Sequence, residues 1–420
     1  MQEKLSDYSI TLRGRQYKPL MVGGMGVNIS SSKLVLAVEK LGGIAHLSDA
    51  LLMDVCDREL GTHYSQAKTR RFKDLINNPD KSEESFDLED LAAATKQYIS
   101  HVMSQKTGRG LVLLNCMEKL TMNAAIDTLR VRLNAALDAG IDGITMGAGL
   151  HLSSLRLMKD NPRFHEALLG IIVSSVRALK VFIQRANQVE RLPDYVVVEG
   201  PLAGGHLGFG DDWADYNLED IVRDVRKFLD DNGMPQIPVF AAGGIFTGGD
   251  AVHMLRDVGA AGVQVATRFT IAQECGLPDE VKQRYLDSVA EDVEVNHFST
   301  TGYPMRMLKY SPAIASEVRP NCETYGYLLS KGQCSYIKEW YARKAAKDAG
   351  TEMPPHAKCC LCTQMRNYKV WTCGATVSRL KETTVKLPDG TWYLPTAEQI
   401  YNDYMTSTGD HIEVARPENA

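Results

Sequence analysis

Four glycine-rich stretches carry most of the chemistry legible in this chain. They are Gly23-Gly24-Met25-Gly26, Gly147-Ala148-Gly149, Ala203-Gly204-Gly205-His206-Leu207-Gly208 and Ala242-Gly243-Gly244-Ile245. Glycine lets backbone approach a ligand closely and permits positive φ. Each stretch alone reads as a tight turn; four of them suit one shared flat or phosphorylated ligand. AAGGIFTGGD (241–250) is the strongest phosphate signal. Thr247 there can cap a helix, with Asp250 three residues on as its box partner, and free amides at a helix start attract phosphate. Gln264-Val265-Ala266-Thr267 can close the other side with backbone amides and the Thr267 hydroxyl.

His206 is the candidate catalytic residue. It follows an apolar stretch directly, and an imidazole takes or gives a proton near neutral pH. A loop histidine bonded to backbone is the plainer alternative. His46 and His151 are similarly placed at strand ends. Ser174 and Ser175 either bond the ligand or cap the next helix. Glu199 reads as a buried, paired carboxylate, and Asp211, Asp212 and Trp213 as a lid or a solvated turn.

A second constellation lies near the C-terminus. Nine cysteines are an odd number, and six follow residue 320. Cys359, Cys360, Cys362 and Cys373 fall within fifteen residues, and Cys322 and Cys334 can contribute. Four thiolates at short range bind zinc or an iron–sulfur cluster. The spacing matches no standard zinc ribbon or ferredoxin run, so free thiols are the alternative.

The elements that must position these residues are readable from periodicity. Apolar runs at 19–24, 42–48, 110–116, 141–149, 170–175, 195–200, 237–244 and 261–269 alternate with helical stretches. They are continuously apolar, as parallel strands buried on both faces are. Eight such strands predict an α/β fold, a (β/α)8 barrel, although an open doubly wound sheet shares the local grammar. The glycine stretches then fall at strand C-termini, the face where barrels carry their sites. Expected domains are a barrel over 1–275, with an insertion at about 49–108, and a helical, cysteine-containing cap over 276–420. The cap includes a hairpin at 385–395.

Composition sets the class. At 44% hydrophobic and 24% charged residues the chain reads as globular, not disordered. A net charge of −5 argues against a nucleic-acid surface, which needs a basic excess. No apolar run reaches the ~20 residues of a membrane span. MQEKLSDYSI has no basic region followed by an apolar core, so a reducing cytoplasm is expected.

PLMVGGMGVNIS, LPDYVVVEGPLAGGHLGFG, IPVFAAGGIFTGGDAV and AAGVQVATRF resemble the nitronate monooxygenase family over roughly residues 17–310. Flavin-dependent enoyl-ACP reductases share these motifs. The resemblance implies a TIM barrel with one non-covalent FMN. It would set Gly23, Gly24, Met25 and Gly26 along the isoalloxazine, with Asn115 near the ring. Gly204 and Gly205 would shape the adjoining wall. Gly243, Gly244, Thr267 and the backbone of Ala266 would hold the phosphate; Ala266 stands where the family has glycine. STTGYPMR (299–306) echoes a further family stretch, with Thr300 in place of proline. His206 matches a histidine that serves as base toward neutral nitroalkanes, or lies beside the enoyl thioester in the reductases. The implied activity is oxidation of nitronates with oxygen; the alternatives are NAD(P)H-dependent enoyl-thioester reduction and a non-catalytic flavin-binding subunit. A small-molecule substrate and a homodimer are the expected partners.

Overall fold

The computed structural model describes residues 3–354 and 356–417. Eight parallel strands close into a barrel: β1 (Leu20–Val22), β2 (Ile44–Ser48), β3 (Leu111–Met117), β4 (Gly143–Gly147), β5 (Leu168–Val173), β6 (Tyr195–Glu199), β7 (Val239–Ala242) and β8 (Gly262–Val265). They follow one another in chain order, and β8 pairs with β1 to close the ring, Val263 opposite Leu20.

Both faces of each strand are buried, which accounts for the unbroken apolar runs. Met21, Ile44, Leu111, Leu113, Tyr195, Val197 and Phe240 fill the interior, while their neighbours Val22, Ala45, Val112, Leu114, Val196 and Val198 meet the surrounding helices. Polar groups within the barrel satisfy one another. His46 bonds the Val22 carbonyl and the Thr145 hydroxyl, and Thr145 also meets the Tyr195 hydroxyl. A hairpin of Ile10–Leu12 and Arg15–Tyr17 packs Ile10 and Leu12 onto this interior beside Leu111 and Leu168, at the strand starts. That leaves the opposite, C-terminal end as the open one.

Helix boundaries follow the capping chemistry. Ser31, Ser175 and Asn217 cap the helices Ser32–Lys40, Val176–Asn187 and Leu218–Asp231 by accepting backbone amides of the first turn. Helices Leu52–Leu60, Tyr64–Arg71 and Leu88–Ser104 fill the polar excursion between β2 and β3.

The outer ring takes its last helix from the far end of the chain. Ala397–Thr406 packs against Ser32–Lys40, after β1, and Gly248–His253, after β7. Its Tyr404 stacks on Phe269, and its Asp403 pairs with buried Arg268 at 2.6 Å. The barrel therefore draws on residues well beyond 275. Between these parts, β9 (Val293–Asn296) and β10 (Met305–Leu308) form an antiparallel sheet with the short strand Gly205–His206. A small hairpin links Lys386 and Trp392.

Candidate active site

A cavity of about 650 Å³ opens at the C-terminal ends of the strands. That is the size range of small-molecule and cofactor sites. All four glycine stretches reach it, as do Asn115, Ser174, Gln264, Ala266 and Thr267. Every cofactor-contact residue expected from sequence therefore borders one space.

The floor beside β1 is stripped of side chains. A Cβ on Gly24 would stand 2.5 Å from Asn115 Cβ, and one on Gly26 would stand 2.8 Å from Ala50 Cβ. Asn115 Nδ2 reaches the Gly24 carbonyl at 3.4 Å, but its Oδ1 is buried with no partner. Gln264 Oε1 is in the same state. A buried amide oxygen left unpaired is costly, so both mark places where a ligand N–H would be welcomed.

Backbone makes the next wall. Gly243 and Gly244 have φ of 103° and 87°, a conformation that side chains resist. Ala266 adopts a negative φ, −140°. The helix start after β7 differs from the expectation. Thr247 Oγ1 accepts the Asp250 amide, while the Asp250 carboxylate accepts the amides of Phe246 and Thr247. The capping box forms and thereby occupies those donors. Gly243, Gly244, Ala266 and Thr267 border the cavity at this wall.

His206 stands on the opposite side, on the short strand paired with β10. Its Nε2 bonds Ser299 Oγ at 2.6 Å. The other ring nitrogen has no hydrogen-bond partner among the described residues. Burial pushes its pKa down to about 4, so the ring is neutral at pH 7 and able to accept a proton. The loop carrying it is pinned from several directions. Arg306 donates to the carbonyls of Pro201 and Ala203 at 2.5 and 2.7 Å and lies over the Trp213 ring. Ser174 Oγ donates to the Gly208 carbonyl at 2.7 Å, whereas Ser175 is the helix cap. The capping alternative is thus realised by Ser175, while Ser174 bonds backbone and borders the cavity.

Other candidates separate. His46 is locked inside the barrel, and His151 bonds Ser154 and the Gly147 carbonyl. Neither borders the cavity. Asp211 meets His297 at the surface. Glu199 does border the cavity, and burial raises its carboxyl to about 7. It has no ion-pair partner among the described residues, contrary to the paired carboxylate expected.

The expected metal ligands are not brought together. Cys373 borders the main cavity beside Gly204, Cys359 packs with Met305 and Met307, and Cys360 and Cys362 face a different small cavity. The sequence run conceals a fold in which adjacent thiols face different ways. Among the described residues, no three His, Cys, Asp or Glu side chains are arranged to hold a metal ion.

Residues 12–327 match the family model described as nitronate monooxygenase. The chain belongs to the nitronate monooxygenase family. Within the family fold it is similar to FabK from Thermotoga maritima, at 19% identity and a TM-score of 0.53 over 92% of this chain and 91% of that one. A nitroalkane oxidase from Streptomyces ansochromogenes gives 18% and 0.55, covering 92% and 94%. The enoyl reductase domain of MlnA from Bacillus amyloliquefaciens gives 12% and 0.57, covering 92% and 93%. At such identities the likeness speaks for the barrel fold. By sequence, 115 residues are 37% identical to a (3aS,4S,5R,7aS)-5-hydroxy-7a-methyl-1-oxo-octahydro-1H-indene-4-carboxyl-CoA dehydrogenase of Rhodococcus jostii. The same-named protein of Mycobacterium tuberculosis is 36% identical over 116 residues. These stretches are 27% and 28% of this chain and 29% and 30% of the relatives, so less than a third of either relative is spanned. Among the described residues, no helix is long and apolar enough to cross a membrane.

Proposed function

We propose that this member of the nitronate monooxygenase family is an FMN-dependent oxidoreductase that oxidises nitronates and nitroalkanes with oxygen. The observation that carries the reading is one cavity bordered by four glycine stretches, the side chains of Asn115 and Gln264, and a neutral histidine. Asn115 Oδ1 and Gln264 Oε1 suit the N–H edge of a flat heteroaromatic ring, and the bare backbone at Gly24 and Gly26 gives such a ring a surface to lie on. Gly243, Gly244, Ala266 and Thr267 would hold the phosphate through backbone amides and the Thr267 hydroxyl.

FMN, when bound, supplies a two-electron acceptor that oxygen can reoxidise. The protein supplies binding and proton handling. His206 takes the α-proton of a neutral nitroalkane, so that the substrate becomes its nitronate in place, and Ser299 steadies the imidazole meanwhile. A substrate that arrives as the nitronate needs no such step. Overall each nitronate takes one oxygen atom from molecular oxygen as its C=N bond breaks, giving a carbonyl compound and nitrite.

One further observation favours a second reading, NAD(P)H-dependent reduction of an enoyl thioester. Leu150, Leu152, Leu202 and Tyr303 are exposed at the cavity and would suit an acyl chain, and the Rhodococcus relative is named for a CoA thioester. Anaerobic mixing separates the two. Bleaching of the yellow protein by a nitronate, and by neither NADH nor NADPH, supports oxidation. Fast bleaching by a nicotinamide supports reduction. A colourless protein after gentle purification would sink both.

A further inference from the structure

Beside the main cavity lies a second, smaller one, lined by four thiols: Cys322, Cys334, Cys360 and Cys362. They come from three helix starts, Cys322–Tyr325, Ser335–Asp348 and Leu361–Arg366, separated by up to forty residues of sequence. All four are free. Buried cysteines ordinarily scatter among apolar side chains as small hydrophobes. Four around one hollow is a different arrangement.

A second observation points the same way. The buried ammonium of Lys68 adds a positive charge near Cys322 and Cys362. It is anchored by donating to the Cys322 carbonyl at 2.7 Å.

We infer that Cys322, Cys334, Cys360 and Cys362 ligate an iron–sulfur cluster in this second cavity. Zinc would require the four sulfurs within about 2.3 Å of one point. The described side chains offer no such ion site, and the thiols surround a space instead. Four thiolates around a space suit a polynuclear cluster. Each thiol gives up its proton on ligation, and the Lys68 ammonium held beside Cys322 offsets part of the resulting charge. Cys362 borders both cavities, so the cluster and the occupant of the main cavity would be separated by one side chain.

The test is purification without oxygen, reconstitution with ferrous iron and sulfide, and removal of unbound metal. Iron and acid-labile sulfide are counted per chain, and the dithionite-reduced protein is examined by electron paramagnetic resonance. Equal amounts of iron and sulfide are expected, with a signal on reduction. C334S and C362S should each lose most of both, while Cys359→Ala, whose side chain packs elsewhere, should retain them. Should the serine variants fail to fold, alkylation of the wild-type chain decides: reconstitution should protect these four cysteines and leave Cys275 and Cys359 unchanged. Zinc without sulfide, no retained metal, or unaltered alkylation would overturn the assignment. Iron and sulfide are counted whether or not flavin is present, so this result stands apart from the FMN reading.

Discussion

The mouth of the barrel and the thiol-lined hollow beside it are built from opposite materials. At the mouth, glycines withdraw side chains so that backbone and a few amide groups face the cavity, and each glycine stretch is continuous in sequence. In the hollow, reactive side chains converge from segments that only the folded chain brings together. The contrast has a physical basis. A ring and a phosphate are held by shape and by N–H groups, which short strand-to-helix turns provide locally. A cage of sulfurs needs side chains pointing inward from several directions, which no single turn provides.

The largest effect should come from His206 at the mouth. His206→Asn keeps a polar side chain at the site but no basic nitrogen. Turnover of neutral nitroalkane should fall by roughly 10²–10⁴-fold, the usual worth of a general base, with bound flavin unchanged. Turnover of a preformed nitronate should change far less, and steady-state assays on both substrates give the comparison. Equal losses on both would assign His206 to binding. The pH profile supplies a second reading of the same group. With a folded pKa of about 4, the free enzyme should keep its base as pH falls through 6.5 and lose it only near 4. Across that window the unfolded chain binds the proton and the folded one does not, so stability should decline as pH falls from about 6.5 toward 4.

Next in size is the joint between the barrel and the C-terminal segment. Asp403 on the last helix pairs with Arg268, and both are buried. Asp403→Ala leaves an uncompensated buried guanidinium and should cost about 3–5 kcal/mol, read from urea unfolding. Replacing both partners with apolar residues should recover much of this. A loss below about 1 kcal/mol in the single variant would mean that the last helix is dispensable to the barrel.

These two effects also mark how far the sequence could be read. Eight strands were legible because double burial leaves no polar interruption, and His206 was legible because it directly follows a buried strand in a glycine loop. The last helix of the ring was not. Nothing in TAEQIYNDYMT announces that it packs between helices more than two hundred residues apart. The cysteine run misled for a related reason. Proximity in sequence suggested one four-thiol set, but Cys360 begins a helix that turns it and Cys362 away from Cys359, while Cys373 passes on to the mouth. Glu199 was seen, but an ion partner was assumed for it. Only the fold shows that it has none and borders the cavity.

Glu199 tests the electrostatics of the mouth. Its carboxyl titrates at about 7, so above that pH it places a negative charge beside the site. Binding of an anionic nitronate should weaken roughly three- to tenfold as pH rises past 7, as an interaction near one pKa unit would give. Glu199→Gln should flatten that dependence in KM and leave the acid limb untouched. A KM that still rises in the variant would place the ionising group elsewhere.

The smallest effect should arise at the residue that holds His206. Ser299 belongs to the chain after the barrel strands, is fully buried, and holds His206 Nε2 at 2.6 Å. Its hydroxyl also accepts the Thr301 amide, so its direction is fixed before substrate arrives. Ser299→Ala should release one hydrogen bond worth about 1 kcal/mol, roughly fivefold in kcat/KM for neutral nitroalkane. Because the serine acts through the imidazole, preformed nitronate should be spared, and the acid limb near 4 should shift as the ring loses its partner. Ser299→Thr, which keeps the hydroxyl, should restore most of the rate if its methyl is accommodated. A loss in Ser299→Ala shared equally by both substrates, with an unmoved acid limb, would mean that the serine supports only the loop. His206 would then owe its position to the pairing with β10.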